Sequence, residues 1–101
     1  MYVIIWEFQP KRGCEKEFQA AYCADGVWSQ FFRLGKGFIR TELFRDTNSE
    51  ARFITMDYWL SQETYEAFRQ QHGSQYQVID KQCESLTVRE THIASFTINS
   101  K

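Results

Sequence analysis

Tyr2-Val3-Ile4-Ile5-Trp6-Glu7-Phe8 is an apolar, β-branched and aromatic run closed by Pro10 and Gly13, and it predicts a first strand. Side chains on a strand alternate between faces, so Tyr2, Ile4, Trp6 and Phe8 share one side and Val3 and Ile5 the other. Both sides are apolar. The same holds further on, where Arg52 to Leu60 reads as a strand with Ile54, Met56, Tyr58 and Leu60 against Phe53 and Trp59. A sheet with one solvated face would alternate apolar with polar. These strands predict a sheet covered on both faces.

The remaining elements follow outward from this run. Residues 15 to 34 read as helix, with Phe18, Ala21 and Tyr22 on one face at i, i+3 and i+4. Asp25-Gly26 interrupts the pattern; Trp28, Phe31 and Phe32 resume it, and Gly35-Lys36-Gly37 stops it. Phe38 to Asp46 predicts strand two. The polar cluster Thr47-Asn48-Ser49-Glu50 then makes a hairpin turn into strand three. Ser61 is placed as an N-cap and Glu63 opposes the helix dipole. A second helix is expected from there to about Ser85. Its apolar stripe is Tyr65, Phe68, His72, Tyr76, Ile79 and Cys83, spread over roughly 80°. Thr87-x-x-Glu90 has the spacing of a capping box and predicts one short helical turn. Thr91 to Ile98 is the last strand expected.

The order is β-α-β-β-α-β, an α+β ferredoxin-like unit in one domain over residues 1–101. Right-handed crossovers put both helices on one face of a four-stranded antiparallel sheet. The second apolar face then favours a second copy packed sheet to sheet, giving a homodimer and a dimeric α+β barrel.

Composition narrows the function classes. Aromatic residues make up 17% of the chain, with nine Phe, five Tyr and three Trp, enough large apolar groups for the core of a 101-residue domain. Mean hydropathy is −0.53. Twelve basic residues stand against 13 acidic ones, which gives no long-range field for nucleic acid or an anionic membrane. No run of about 18 apolar residues predicts a membrane span. The first residues lack a basic leader and a small-residue cleavage site, so they read as strand and not signal peptide. Cys14, Cys23 and Cys83 are odd in number and lack C-x-x-C spacing, which predicts reduced thiols in a cytoplasmic protein. His72 and His92 sit on different elements and make no metal site. Gly35-x-Gly37 precedes a strand instead of following one, so no dinucleotide loop is expected.

Several stretches together resemble the antibiotic biosynthesis monooxygenase-like domains of the dimeric α+β barrel superfamily. They are Tyr22, Asp25-Gly26-x-Trp28-x-x-Phe31-Phe32-Arg33, Gly37-Phe38-x-x-Thr41-Glu42-Leu43, Asp57-x-Trp59-x-Ser61, Tyr65-x-x-Phe68, Tyr76 and Thr87-x-x-Glu90. The resemblance implies a pocket between sheet and helices. It also implies a cofactor-independent monooxygenase acting on a phenol or quinol, with no metal or cofactor. Haem-degrading members carry an Asn near the end of strand one and a Trp and a His on the second helix. Those places hold Glu7 or Trp6, Phe68 and Val78 here, which disfavours haem degradation.

Such an oxygenase needs a base and an apolar pocket around an electron-rich intermediate. His72 is one candidate, because imidazole titrates near neutrality; the plainer reading is a core histidine. Asp57, inside an apolar strand, is the other. A buried carboxylate needs a partner or a raised pKa, and Arg40 and Thr41 are the expected partners. His92 is expected to be exposed or at an interface. Tyr22, Trp28, Trp59, Tyr65, Phe68 and Tyr76 are candidate substrate-binding residues, although aromatics at helical spacing also build plain core. Two other readings remain: a non-catalytic barrel for a small apolar ligand, and an isomerase or decarboxylase using His or Asp.

Overall fold

The computed structural model describes residues 1–98. Its elements are β1 (Tyr2–Pro10), α1 (Glu15–Tyr22), α2 (Val27–Phe32), β2 (Phe38–Arg45), β3 (Phe53–Trp59), α3 (Gln62–Gln71), α4 (Gly73–Cys83) and β4 (Thr87–Thr97). The strands form one antiparallel sheet in the order β2-β3-β1-β4, the ferredoxin-like arrangement expected. Phe18, Tyr22, Trp28, Phe31, Phe32, Phe68 and Ile79 from the helices pack with Tyr2, Ile4, Phe8, Phe53 and Trp59 from the sheet. One face of the sheet therefore carries all four helices.

Two expectations need correction. The helix expected from Ser61 to about Ser85 is two helices, broken at His72 (φ −116°, ψ 26°). Gly73, a residue about 1 kcal/mol less favourable than Ala in a helix, follows the break directly. The backbone bonds Phe68–His72 and His72–Tyr76 are kept across it, so the apolar stripe stays in phase and hides the break. Thr87-x-x-Glu90 is not a capping box. A single 3₁₀ turn, Glu84–Leu86, precedes it, and β4 begins at Thr87, four residues earlier than expected, with Thr87 and Glu90 paired to Pro10 and Phe8. Ladder bonds to β1 outweigh a local cap there.

The α1–α2 break falls at Asp25-Gly26 as expected. Any side chain at Gly26 would collide with the backbone of Ala20 and Ala21. Ser61 caps α3: its Oγ accepts from Thr64 N–H at 3.1 Å, and Ser61 N–H donates to Thr64 Oγ1 at 3.2 Å. Ser61→Ala should lower stability by about 1 kcal/mol, measured by urea denaturation.

The second sheet face is largely apolar, as the strand pattern implied, with Arg40, Glu42 and Glu7 set among its apolar side chains. Ile54, Met56 and Tyr58 alternate with the buried Phe53, Thr55, Asp57 and Trp59. Phe44 and Phe96 are about half exposed on that side, paired to Ile54 and Val3. Among the described residues no helix is long and apolar enough to cross a membrane.

Candidate functional site

Strand alternation decides which β3 side chains face the helices. Phe53 and Trp59 at the ends fill the core. Between them, Thr55 and Asp57 face a small cavity of about 30 Å³. Asp57 pairs across the ladder with Ile4 on β1 and Thr41 on β2. Thr41 Oγ1–H donates to Asp57 Oδ1 at 2.6 Å. Arg40, the other expected partner, turns away to Glu42 (3.5 Å) and lies over the Tyr58 ring, so among the described residues no cation compensates Asp57. Burial pushes its carboxyl from 3.8 up to about 6, against the opposing pull of the Thr41 hydrogen bond.

The cavity walls come from both layers. β1 supplies Trp6 and Phe8, α1 supplies Tyr22, α2 supplies Trp28 and Phe32, and α4 supplies Tyr76 and Asp80; Glu90 comes from β4. Every charged group lining it is therefore acidic. Glu90 is raised by burial first, then by the charges of Asp80 and Glu84. Burial likewise raises the Tyr22 and Tyr76 phenols, so both stay neutral donors. Trp28 Nε1–H is buried with no well-formed hydrogen bond among the described residues, and it lies close enough to the Tyr22 hydroxyl and the Cys83 thiol to oppose the rise of both their pKa values. Arg69 stands behind Tyr76, 3.8 Å from its ring centroid, and donates to the Tyr65 hydroxyl at 3.0 Å.

The sequence candidates separate into groups. Asp57, Tyr22, Trp28 and Tyr76 line one cavity. Tyr65 lines a neighbouring hollow with Tyr2, Ile4, Trp6, His92 and Ser95. Trp59 and Phe68 are core, 0% and 3% exposed, and line neither. His72 does not meet Asp57. It sits half-buried at the α3–α4 joint against Phe31 and Phe68, with its ring centroid 4.8 Å from that of Phe68. His92 is exposed, with Nε2 2.9 Å from Ser95 Oγ. Sequence reasoning missed Trp6, Asp80 and Glu90 as lining residues. Trp6 alternates with Tyr2, Ile4 and Phe8, and Asp80 lies one helical turn beyond Tyr76; both signals were readable. Glu90 was hidden by its reading as a cap.

The family model described as antibiotic biosynthesis monooxygenase matches residues 1–76. No curated protein matches the chain. Among solved structures, a cofactor-independent oxygenase from Streptomyces nogalater, SnoaB, superposes with a TM-score of 0.78 at 18% identity, covering 99% of this chain and 94% of that one. A protein of Mycobacterium tuberculosis gives 0.70 at 14% identity over 99% and 96% of the two chains. A conserved protein of Methanosarcina mazei gives 0.69 at 11% identity over 94% and 89%. At these identities the likeness is one of fold. The family match over three quarters of the sequence carries more: this chain belongs to the antibiotic biosynthesis monooxygenase family.

Proposed function

We propose that the chain is a cofactor-independent monooxygenase of a small aromatic phenol or quinol, with Asp57 as its base. One observation carries this reading: a carboxylate with no cationic partner among the described residues, its pKa near 6, faces an aromatic-walled cavity. A base in that range is ionised at neutral pH and still basic enough to take a proton. The phenol enters neutral, because the lining charges repel an anion. Asp57 accepts its hydroxyl proton, the electron-rich ring passes an electron to dioxygen, and the radical pair joins as a ring peroxide, which takes the proton back from Asp57 to give the hydroperoxide. Loss of water leaves a quinone, so one phenol and one dioxygen yield one quinone and one water. The Tyr22 and Tyr76 hydroxyls are available to hold the oxygen substituents. His72 lies outside this constellation and takes no part in the step.

Dioxygen uptake with anthrone, in flavin-free buffer containing a chelator and with hydrogen peroxide release followed, tests the proposal. Uptake matched by quinone formation supports it. Saturable binding without uptake supports the second reading, a non-catalytic barrel for a small ligand.

The apolar outer sheet face supports a homodimer. Light scattering at micromolar concentration should give twice the 12.1 kDa chain mass. A Met56→Asp change at the centre of that face should halve the value. A monomeric parent chain would sink the pairing. We place the protein in the cytoplasm on its three free cysteines.

A further inference from the structure

We infer that Trp6 is a movable partition across a single ligand site, and that the hollow beyond it is the second half of that site. This rests on the reading that a ligand binds at Asp57. Among the described residues, Trp6 alone lines both spaces. The space beside Asp57 is about 30 Å³, room for roughly one water, whereas an apolar cavity of about 150 Å³ is what takes a benzene ring. The hollow on the other side of Trp6 is about 300 Å³, the lower end of the range of small-molecule sites, about 300–1,000 Å³. With Trp6 turned aside the two join, and Asp57 gains a ring-sized approach.

Trp6 is suited to turning. It is half-buried, its side chain makes no hydrogen bond among the described residues, and it is held by ring contacts to Phe8 (6.4 Å) and His92 (5.3 Å). The second contact depends on a β-bulge. β4 skips Ile93 between the pairs Ile5–Ala94 and Trp6–His92, which turns His92 onto the helix-facing side beside Trp6. The joined site would take a planar phenol of two or three fused rings. One hydroxyl would sit at Asp57 and the apolar body where Trp6 now lies. The far edge would meet the Tyr65 hydroxyl, Ser95 and His92.

The test uses 1,8-dihydroxyanthraquinone, a planar phenol already at the quinone level, mixed rapidly with the full chain and followed by its absorbance. Trp6→Ala and the bulkier Trp6→Leu should associate at least about tenfold faster, because an open form held at roughly 0.1–10% no longer limits entry. Ser95→Phe, which fills the hollow, should weaken binding at least about tenfold. Association unchanged or slower in both Trp6 variants overturns the partition. Binding unchanged in Ser95→Phe removes the hollow from the site. If either happens while Asp57→Asn still weakens binding, the inference about Trp6 falls and the site at Asp57 stands. If Asp57→Asn leaves binding unchanged, the site at Asp57 falls, and this inference with it.

Discussion

Asp57→Asn is expected to abolish dioxygen uptake and, in the same protein, to raise stability at pH 8. The loss of turnover follows from removing the base, a step that contributes typically 10²–10⁴-fold. The gain in stability follows from linkage. The carboxyl titrates at about 6 in the folded chain against 3.8 when free, so the folded state holds the proton more tightly than the unfolded state. Below about pH 3.8 both states are protonated and burial of the charge costs nothing. As pH rises from 3.8 towards about 6 the unfolded carboxyl gives up its proton while the buried one keeps it, so stability falls across that window and is fully lost once pH has passed about 6. The shift corresponds to a penalty on the order of 3 kcal/mol at pH 8. Asn carries no charge and its Oδ1 still accepts from Thr41, so the variant avoids the penalty. Chemical denaturation at pH 4 and pH 8 checks this: the variant's advantage should be large at pH 8 and nearly absent at pH 4. An equal effect at both values would mean that Asp57 is not held in an unfavourable charged state. Inactivity at pH 8 together with greater stability would mark a group kept for chemistry at the expense of folding.

The sequence carried the element order and the two-faced sheet, because strand alternation and helical stripes are local patterns. It also put Asp57 inside an apolar strand, on the same face as Trp59 two residues away and Phe53 four residues away; which face turns to the helices is a matter of packing. Three things were not legible. The break at His72 left no mark on the stripe, because i to i−4 bonding spans it. The bulge at Ile93 depends on how β4 meets β1, a long-range register that neither strand's sequence states alone. The third is the division between lining and core. Trp28 and Trp59 were both candidate lining residues, and among the described residues both end with a buried indole N–H that has no hydrogen-bond partner, yet one bounds the cavity and the other does not. Packing volume decides that, and it is a property of the assembled layers.

Trp59→Ala should therefore act on the fold and not on the pocket. Trp59 is fully buried, with ring centroids at 5.2 Å from Phe68, 5.3 Å from Phe38 and Tyr65, and 5.7 Å from Phe32. It joins β3 to α2, β2 and α3 at once. The packing over it is close: a Cβ on Gly35 would strike the Trp59 and Phe68 rings. Truncation to Ala leaves a cavity that neighbours anchored to three elements cannot close, at a cost of about 3–5 kcal/mol. For a domain of this size that is a fall in Tm of roughly 12–25 °C, a large share of a total stability of about 5–15 kcal/mol. Trp59→Phe should cost much less. It keeps a ring among the same partners and removes an indole N–H that has no acceptor among the described residues. Thermal melts of both variants, with dihydroxyanthraquinone binding measured on Trp59→Phe, separate the two roles. A core plug gives a steep loss in the Ala variant and unchanged binding in the Phe variant. Weaker binding in Trp59→Phe with an unshifted Tm would instead place Trp59 against the ligand.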